Sequence, residues 1–352
     1  MYWANIFLAK HMPIDAFDDV NVAISVVTLL STIATLGLEK YALRVAALYI
    51  ERENWPRLRG FWSFSLGTIF LFSMVLLGIL ALGLDLVLAW HETQFHLAIV
   101  IYACFLPLIA LCLFLLEMIA VFGRQIMAVT LYRFVLPAVF IVLITTTQDS
   151  AWQLTASSAV GCLGIAWVIT LILMSLTVHA ISPSEFRRGK RDMARRSQWL
   201  VHSLPLLISS LMMTSLTSAG TIILEILHPS EAVVAIYAIA MQTSGLISLI
   251  GTSTNRYYLP MMVVLIERRD HQALELLLQK RIRLIASFVT LYISVLCAWG
   301  TEILELFGSD FSAGWSALLI SASGATFSTL FADAPYYLQF MGRNKVVISS
   351  MT

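Results

Sequence analysis

Residues 60–83 read GFWSFSLGTIFLFSMVLLGILALG, 24 consecutive positions without a charge. A helix needs about 20 apolar residues to cross roughly 30 Å of hydrocarbon, so this stretch is long enough to span a bilayer by itself. Arg57 and Arg59 stand just before it and Asp85 just after it. The rest of the chain repeats the pattern. Its 352 residues are 59% hydrophobic and 12% charged, with a mean hydropathy of +0.85. An ordinary soluble chain is about 45–50% apolar and about 25% charged, so a soluble globular protein is excluded. The fold class expected is an all-α, polytopic helical membrane protein. Complete spans fall at about 20–38, 60–83, 95–121, 126–147, 152–178, 199–227, 232–254, 284–307 and 315–341, with partial spans at both ends.

Alternate loops lie on alternate sides, which lets the basic residues orient the chain. One side receives 20 of the 22 Lys and Arg, the other only Lys10, and Arg133 sits within a span. The positive-inside rule assigns the basic side to the cytoplasm. The opposite loops are short and acidic, with Asp15, Asp18, Asp19, Asp85, Glu92, Asp149, Glu231, Glu302, Glu305 and Asp310. Topology and contact with anionic lipid account for the basic runs. The net charge of +1 hides this asymmetry and implies no nucleic-acid partner. Residues 1–9 are apolar without a basic lead or a small-residue cleavage site, so they do not read as a signal peptide.

A shift of 216 positions pairs Pro13 with Pro229, Tyr41 with Tyr257, and Ile50-Glu51-Arg52 with Ile266-Glu267-Arg268. Asp15 falls on Glu231 and Lys40 on Arg256 in the same register. The repeat covers six helices, an even number, so both copies share one orientation about an axis along the membrane normal. Parallel repeats of this kind build secondary transporters with a central pathway. The domain organisation expected is an N-terminal lobe at 1–180, a basic cytoplasmic linker at 181–198 and a C-terminal lobe at 199–352. In this register the first lobe begins about 17 residues before Met1 and the second ends about 42 beyond Thr352, so a chain truncated at both ends is expected.

Enzyme signatures are lacking. His11 and Asp15 have HxxxD spacing, but the other repeat copy has Leu227 and Glu231 there. No GxSxG, phosphate-binding glycine loop or HExxH occurs in a loop large enough to form a site, so no catalytic residue is assigned. Cys104, Cys112, Cys162 and Cys297 lie in apolar stretches without CxxC spacing and read as packing residues; no metal or cofactor is implied.

Intramembrane charges are the candidates for function, because each is expensive to bury. Glu117 and Arg133 are each eight residues from Gln125, the midpoint of a tight connection. On an antiparallel hairpin both lie about 12 Å from the turn and are expected to face each other. The pair is either a closed structural bridge or the wall of a hydrated cavity where Arg133 attracts an anion, which under the resemblance given below is the phosphate of a lipid carrier. Arg44 and Arg256 stand just inside the ends of repeat-related spans, where they either collect an anionic headgroup or snorkel to lipid. Asp333 is a deep charge nine residues before Gly342, its partner being a helix outside the chain, a cation or a proton. His202 and Gln242 are read as hydrogen-bonded packing residues ahead of a proton relay.

Leu8-Ala9-Lys10 with Pro13, Thr35-Leu36-Gly37-Leu38-Glu39 with Arg44, and the link 51–58 resemble the opening of the polysaccharide transporter branch of the MOP superfamily, the oligosaccharide and O-antigen flippases. Leu204-Pro205-Leu206-Leu207, Tyr237-Ala238, Tyr258-Leu259-Pro260 and Leu306-Phe307-Gly308 with Phe311 resemble its second lobe. Multidrug and toxin extrusion (MATE) transporters share the superfamily. The resemblance implies a MATE-like fold of two six-helix lobes, the second incomplete here, with no cofactor. It implies a flippase in a bacterial inner membrane, moving a lipid-linked oligosaccharide by alternating access, beside membrane lipids and polysaccharide polymerase and glycosyltransferase machinery. The family often carries an acid late in the helix that opens the second lobe. Gly220 and Thr221 occupy that neighbourhood here, and Glu225 lies a turn further, so Glu225 and Asp333 are the candidates for ion coupling. The alternatives are a MATE-type cation-coupled multidrug antiporter and an integral-membrane glycosyltransferase or acyltransferase.

Overall fold

The computed structural model describes residues 2–88, 95–148, 155–227, 231–331 and 334. In chain order the helices are α1 (Tyr2–His11), α2 (Ile14–Ala34), α3 (Leu38–Glu51), α4 (Trp55–Leu88), α5 (Phe95–Ala103), α6 (Leu106–Val121), α7 (Gln125–Thr130), α8 (Leu136–Gln148), α9 (Ala156–Ile181), α10 (Ser184–Arg188), α11 (Arg196–Leu227), α12 (Glu231–Ser244), α13 (Ser248–Glu267), α14 (His271–Glu305) and α15 (Trp315–Leu330). No strand occurs among the described residues. Among the described residues six helical runs are long and apolar enough to cross a membrane, and a bent seventh is formed by α5 and α6. The protein is a multi-pass helical membrane protein. Of the nine expected spans, 199–227 lies within one continuous helix, α11. The span at 315–341 is described only through residue 331 and at 334.

Several expected spans are interrupted, each for a local reason. The span at 20–38 runs instead as α2 from Ile14 to Ala34 and stops where Leu36 and Gly37 take left-handed backbone. The chain then restarts as α3, an amphipathic helix rather than a spanning one. The span at 95–121 bends by 49° between α5 and α6, where Pro107 sits in the first turn of α6 and has no N–H to continue a helix through the break. The span at 126–147 holds a π turn at Leu131–Val135, just ahead of Pro137. One extra residue in the turn absorbs the hydrogen bond that proline removes.

The described residues form two compact units, one within 3–235 and the other from residue 236 onward together with Tyr2. In the first, α6 and α9 pack together and against α2, α6 also packs against α3, and α11 packs along α2 and α3. Its buried core includes Phe17, Phe61, Phe114, Phe140 and Trp199. Trp167 donates to the Tyr102 hydroxyl at 3.0 Å, and the buried Cys112 thiol lies 3.7 Å from the Trp167 carbonyl. Cys162 is buried as well, but Cys104 and Cys297 are exposed, so only two of the four cysteines pack inside. In the second unit α14 packs against α13 and α15 around Ile247, Ile285 and Val289.

The 216-residue repeat has a geometric counterpart. Glu53 and Arg269, which it equates, both take left-handed backbone at φ 51° and 55°. The next residues do the same work: Asn54 accepts from the Arg57 N–H at 3.3 Å, and Asp270 from the Ala273 N–H at 3.0 Å. Asn54 N–H also reaches back to the Tyr49 carbonyl at 2.8 Å, as Asp270 N–H does to Leu265 at 3.1 Å. A polar cap after a left-handed residue stops one helix and starts the next, so these short sequences fix the same corner twice. The copies part company at the Thr35–Gly37 break. Its equivalent, around Ser253, lies inside the unbroken helix α13.

Candidate functional site

Helix α3 decides where the charges go. Leu38, Glu39, Ala42, Val45, Ala46 and Tyr49 are buried on one side, leaving Lys40, Leu43, Arg44, Ala47 and Leu48 exposed on the other at the i, i+3, i+4 spacing of one helix face. Gly37 sets the distance to α11. Its φ is +71°, and a Cβ there would meet the Ser203 carbonyl and come within 2.6 Å of the Leu207 nitrogen. Below this contact Trp199 is fully buried, donates to the Tyr49 hydroxyl at 3.1 Å and stands edge-on to Phe61 at 5.4 Å. The start of α3 is thereby pinned to the first half of α11.

Between the two helices lies a cavity of about 510 Å³, lined by Lys40, Tyr41 and Arg44 from α3 and by His202, Pro205 and Leu206 from α11. The Tyr41 and His202 rings lie nearly parallel at 6.1 Å, and His202 Nδ1 is 2.6 Å from the Gln198 carbonyl. His202 is exposed at the cavity edge, not a packed core residue. The Lys40 ammonium lies 2.6 Å from Glu117 Oε1 on α6, with 47% of the Lys40 side chain still exposed and 17% of Glu117. No carboxylate lies within ion-pair distance of Arg44 among the described residues. The cavity thus combines cations, one of them paired with Glu117, with apolar and aromatic walls.

The Glu117–Arg133 pair expected from equal depth does not form. Glu117 takes Lys40 instead, and Arg133 is exposed on the π turn with no carboxylate within ion-pair distance among the described residues. Counting residues from the turn fixes height along a helix and leaves its rotation open, and the extra residue of a π turn changes that rotation. Arg44 does line the cavity. Of Arg256 only its place in α13 is described, and Asp333 lies outside the described residues. Glu225 is half-buried in α11, roughly 34 Å along the helix from His202 at 1.5 Å per residue. Sequence reasoning passed over Lys40, Tyr41 and Glu39. Lys40 counted there only as a topology charge, and Glu39 is a buried carboxylate whose Oε2 has no hydrogen-bond partner among the described residues.

The basic linker is strapped to the start of α4. Asp192 accepts from Arg57 Nε at 3.2 Å, its N–H donates to the Pro56 carbonyl at 3.0 Å, and Arg59 donates to the Gly189 carbonyl. Phe186 plugs in between Trp62 and Phe122. The Ala194 backbone N–H and Arg57 hold the Asp192 carboxyl below its ordinary range.

No family model and no curated protein matches the chain by sequence. Among solved structures it is similar to a multidrug resistance MATE family transporter of the MOP superfamily in an inward-facing conformation. The TM-score is 0.75 at 13% identity, over 99% of this chain and 82% of that one. The chain has the fold of that transporter structure. Within this fold, the cavity uses one feature that the internal repeat does not duplicate, the Thr35–Gly37 break that frees α3 to lie against α11.

Proposed function

We propose that the chain is a membrane carrier that moves an amphiphile with an anionic headgroup, of the lipid-linked oligosaccharide kind, between leaflets by alternating access. The observation that carries this reading is the cavity beside α3, where Arg44 and Lys40 face a space of about 510 Å³ with Tyr41 and His202 at its edge. Cationic side chains against an apolar wall suit a headgroup phosphate whose lipid tail stays in the bilayer. Stacked aromatic rings suit the faces of sugars. The excess of basic residues on one side supports an inner membrane with those loops in the cytoplasm, and the linker and α14 start would then face polymerase and glycosyltransferase partners. Arg133, Arg256 and Asp333 remain candidates for the pathway.

A second reading, a cation-coupled multidrug antiporter, is favoured by one observation: the similar solved structure is a MATE transporter. In that case Glu225 or Asp333 carries the coupling ion. The two are separated in proteoliposomes. With a fluorescent polyprenyl-diphosphate oligosaccharide in the bilayer, dithionite quenching follows its exchange between leaflets. Exchange by the wild type that is lost in Arg44→Gln supports the flippase. Ethidium movement driven by a sodium or proton gradient, without exchange of the lipid probe, establishes the antiporter instead.

A further inference from the structure

Glu117 is an acid paired with a cation of a cavity suited to anions. It sits on α6, 2.6 Å from the ammonium of Lys40, which lines the cavity, and 17% of its side chain and 47% of that of Lys40 are exposed. Arg44 is one turn further along the same exposed face of α3 and has no carboxylate within ion-pair distance among the described residues. Residues four apart on a helix stand about 6 Å from each other, so one headgroup can touch both cations. The two are unequal when the cavity is empty: Arg44 is available and Lys40 is already engaged.

We propose that Glu117 is a displaceable internal counter-ion, which occupies Lys40 until the anion of a bound amphiphile takes its place. This rests on the reading of the cavity as an anionic headgroup site and adds a specificity determinant to it. An anion first meets Arg44. It gains Lys40 only by competing with a carboxylate already at contact distance, so neutral and weakly anionic lipids leave the Lys40–Glu117 pair closed. The carboxylate sets a threshold for occupancy.

The test uses the full chain in phosphatidylcholine nanodiscs and dodecyl phosphate as the probe, with dodecyl maltoside as the uncharged control and calorimetry as the readout. Glu117→Gln releases Lys40 and is expected to bind dodecyl phosphate about tenfold more tightly, the scale of one charge-assisted hydrogen bond. Adding Lys40→Gln to Glu117→Gln removes that gain. Arg44→Gln weakens binding in every background. Glu117→Asp, whose carboxylate is one methylene short of the present contact, is expected to bind about threefold more tightly and keeps the test decisive if Glu117→Gln does not fold. If the wild type binds and Arg44→Gln does not, while the Glu117 variants bind like the wild type, the counter-ion role is overturned and the cavity stands. A gain in Glu117→Gln that survives Lys40→Gln overturns it too, as a general change of potential. If no variant, the wild type included, separates dodecyl phosphate from dodecyl maltoside, the anionic cavity falls with it.

Discussion

Gly37 offers a measurement that separates the two demands the fold makes on one residue. Its φ of +71° is left-handed, and the position of a missing Cβ is already filled by the Ser203 carbonyl and the Leu207 backbone, with Leu207 nitrogen at 2.6 Å and its Cα at 3.1 Å. An alanine in left-handed backbone costs about 1–2 kcal/mol. Forcing a methyl group into filled space costs about 1–3 kcal/mol more, and backbone atoms of α11 cannot yield by turning a side chain. Gly37→Ala should therefore lose roughly 2–5 kcal/mol. Two other glycines are internal controls. Gly123 has φ +79° with nothing within 4 Å of its missing Cβ, so Gly123→Ala isolates the backbone cost of about 1–2 kcal/mol. Gly67 in α4 also has open space but ordinary helical backbone, so Gly67→Ala should gain about 0.5–1 kcal/mol. For a unit of this size 1 kcal/mol shifts Tm by about 2–4 °C. The expected order of Tm in detergent, followed by size-exclusion chromatography after heating, is Gly67→Ala, wild type, Gly123→Ala, Gly37→Ala, the last lower than wild type by roughly 4–20 °C. A Gly37→Ala protein that melts together with Gly123→Ala would refute the close approach of α3 to α11, and the cavity between them would lose its geometric basis.

Other expectations concern the core, the linker and the topology. Tyr49→Phe removes the acceptor of the fully buried Trp199 N–H and should cost about 1–3 kcal/mol, while Trp199→Ala should cost about 3–5 kcal/mol; equal, negligible losses in denaturant titrations would contradict the packing. The Asp192 carboxyl is held below its usual value of 3.8, so the strap it makes is fully present above that pH and weakens as pH falls through the lower folded value. Protection of the Asp192 and Ala194 amides from hydrogen exchange should drop only in that acid range, and Asp192→Asn should lack the pH dependence. Single cysteines at Ser184 and Gln272 should be labelled from one side of the membrane and one at Ser309 from the other; Ser184 and Ser309 reacting from the same side would overturn the charge-based topology.

The amino-acid sequence alone determined the solvent this protein folds in, because uncharged runs such as 60–83 have a single stable solution, a helix in hydrocarbon. It also determined the corners at 53–54 and 269–270, since a polar cap following a reversal acts over a few residues and needs no distant partner. Breaks were partly legible. Pro107 and Pro137 mark the bend and the π turn, but how a chain absorbs a proline depends on the neighbours that re-satisfy its backbone. The ion pair was not legible. Equal distance of Glu117 and Arg133 from a turn says nothing about the rotation of their helices, and the partner, Lys40, comes from a segment 77 residues away. Only the tertiary structure decided that pairing, because a charge is claimed by whichever opposite charge the packing brings within contact. Gly37, invisible as a site residue in the sequence, shapes the cavity by letting one backbone rest directly on another.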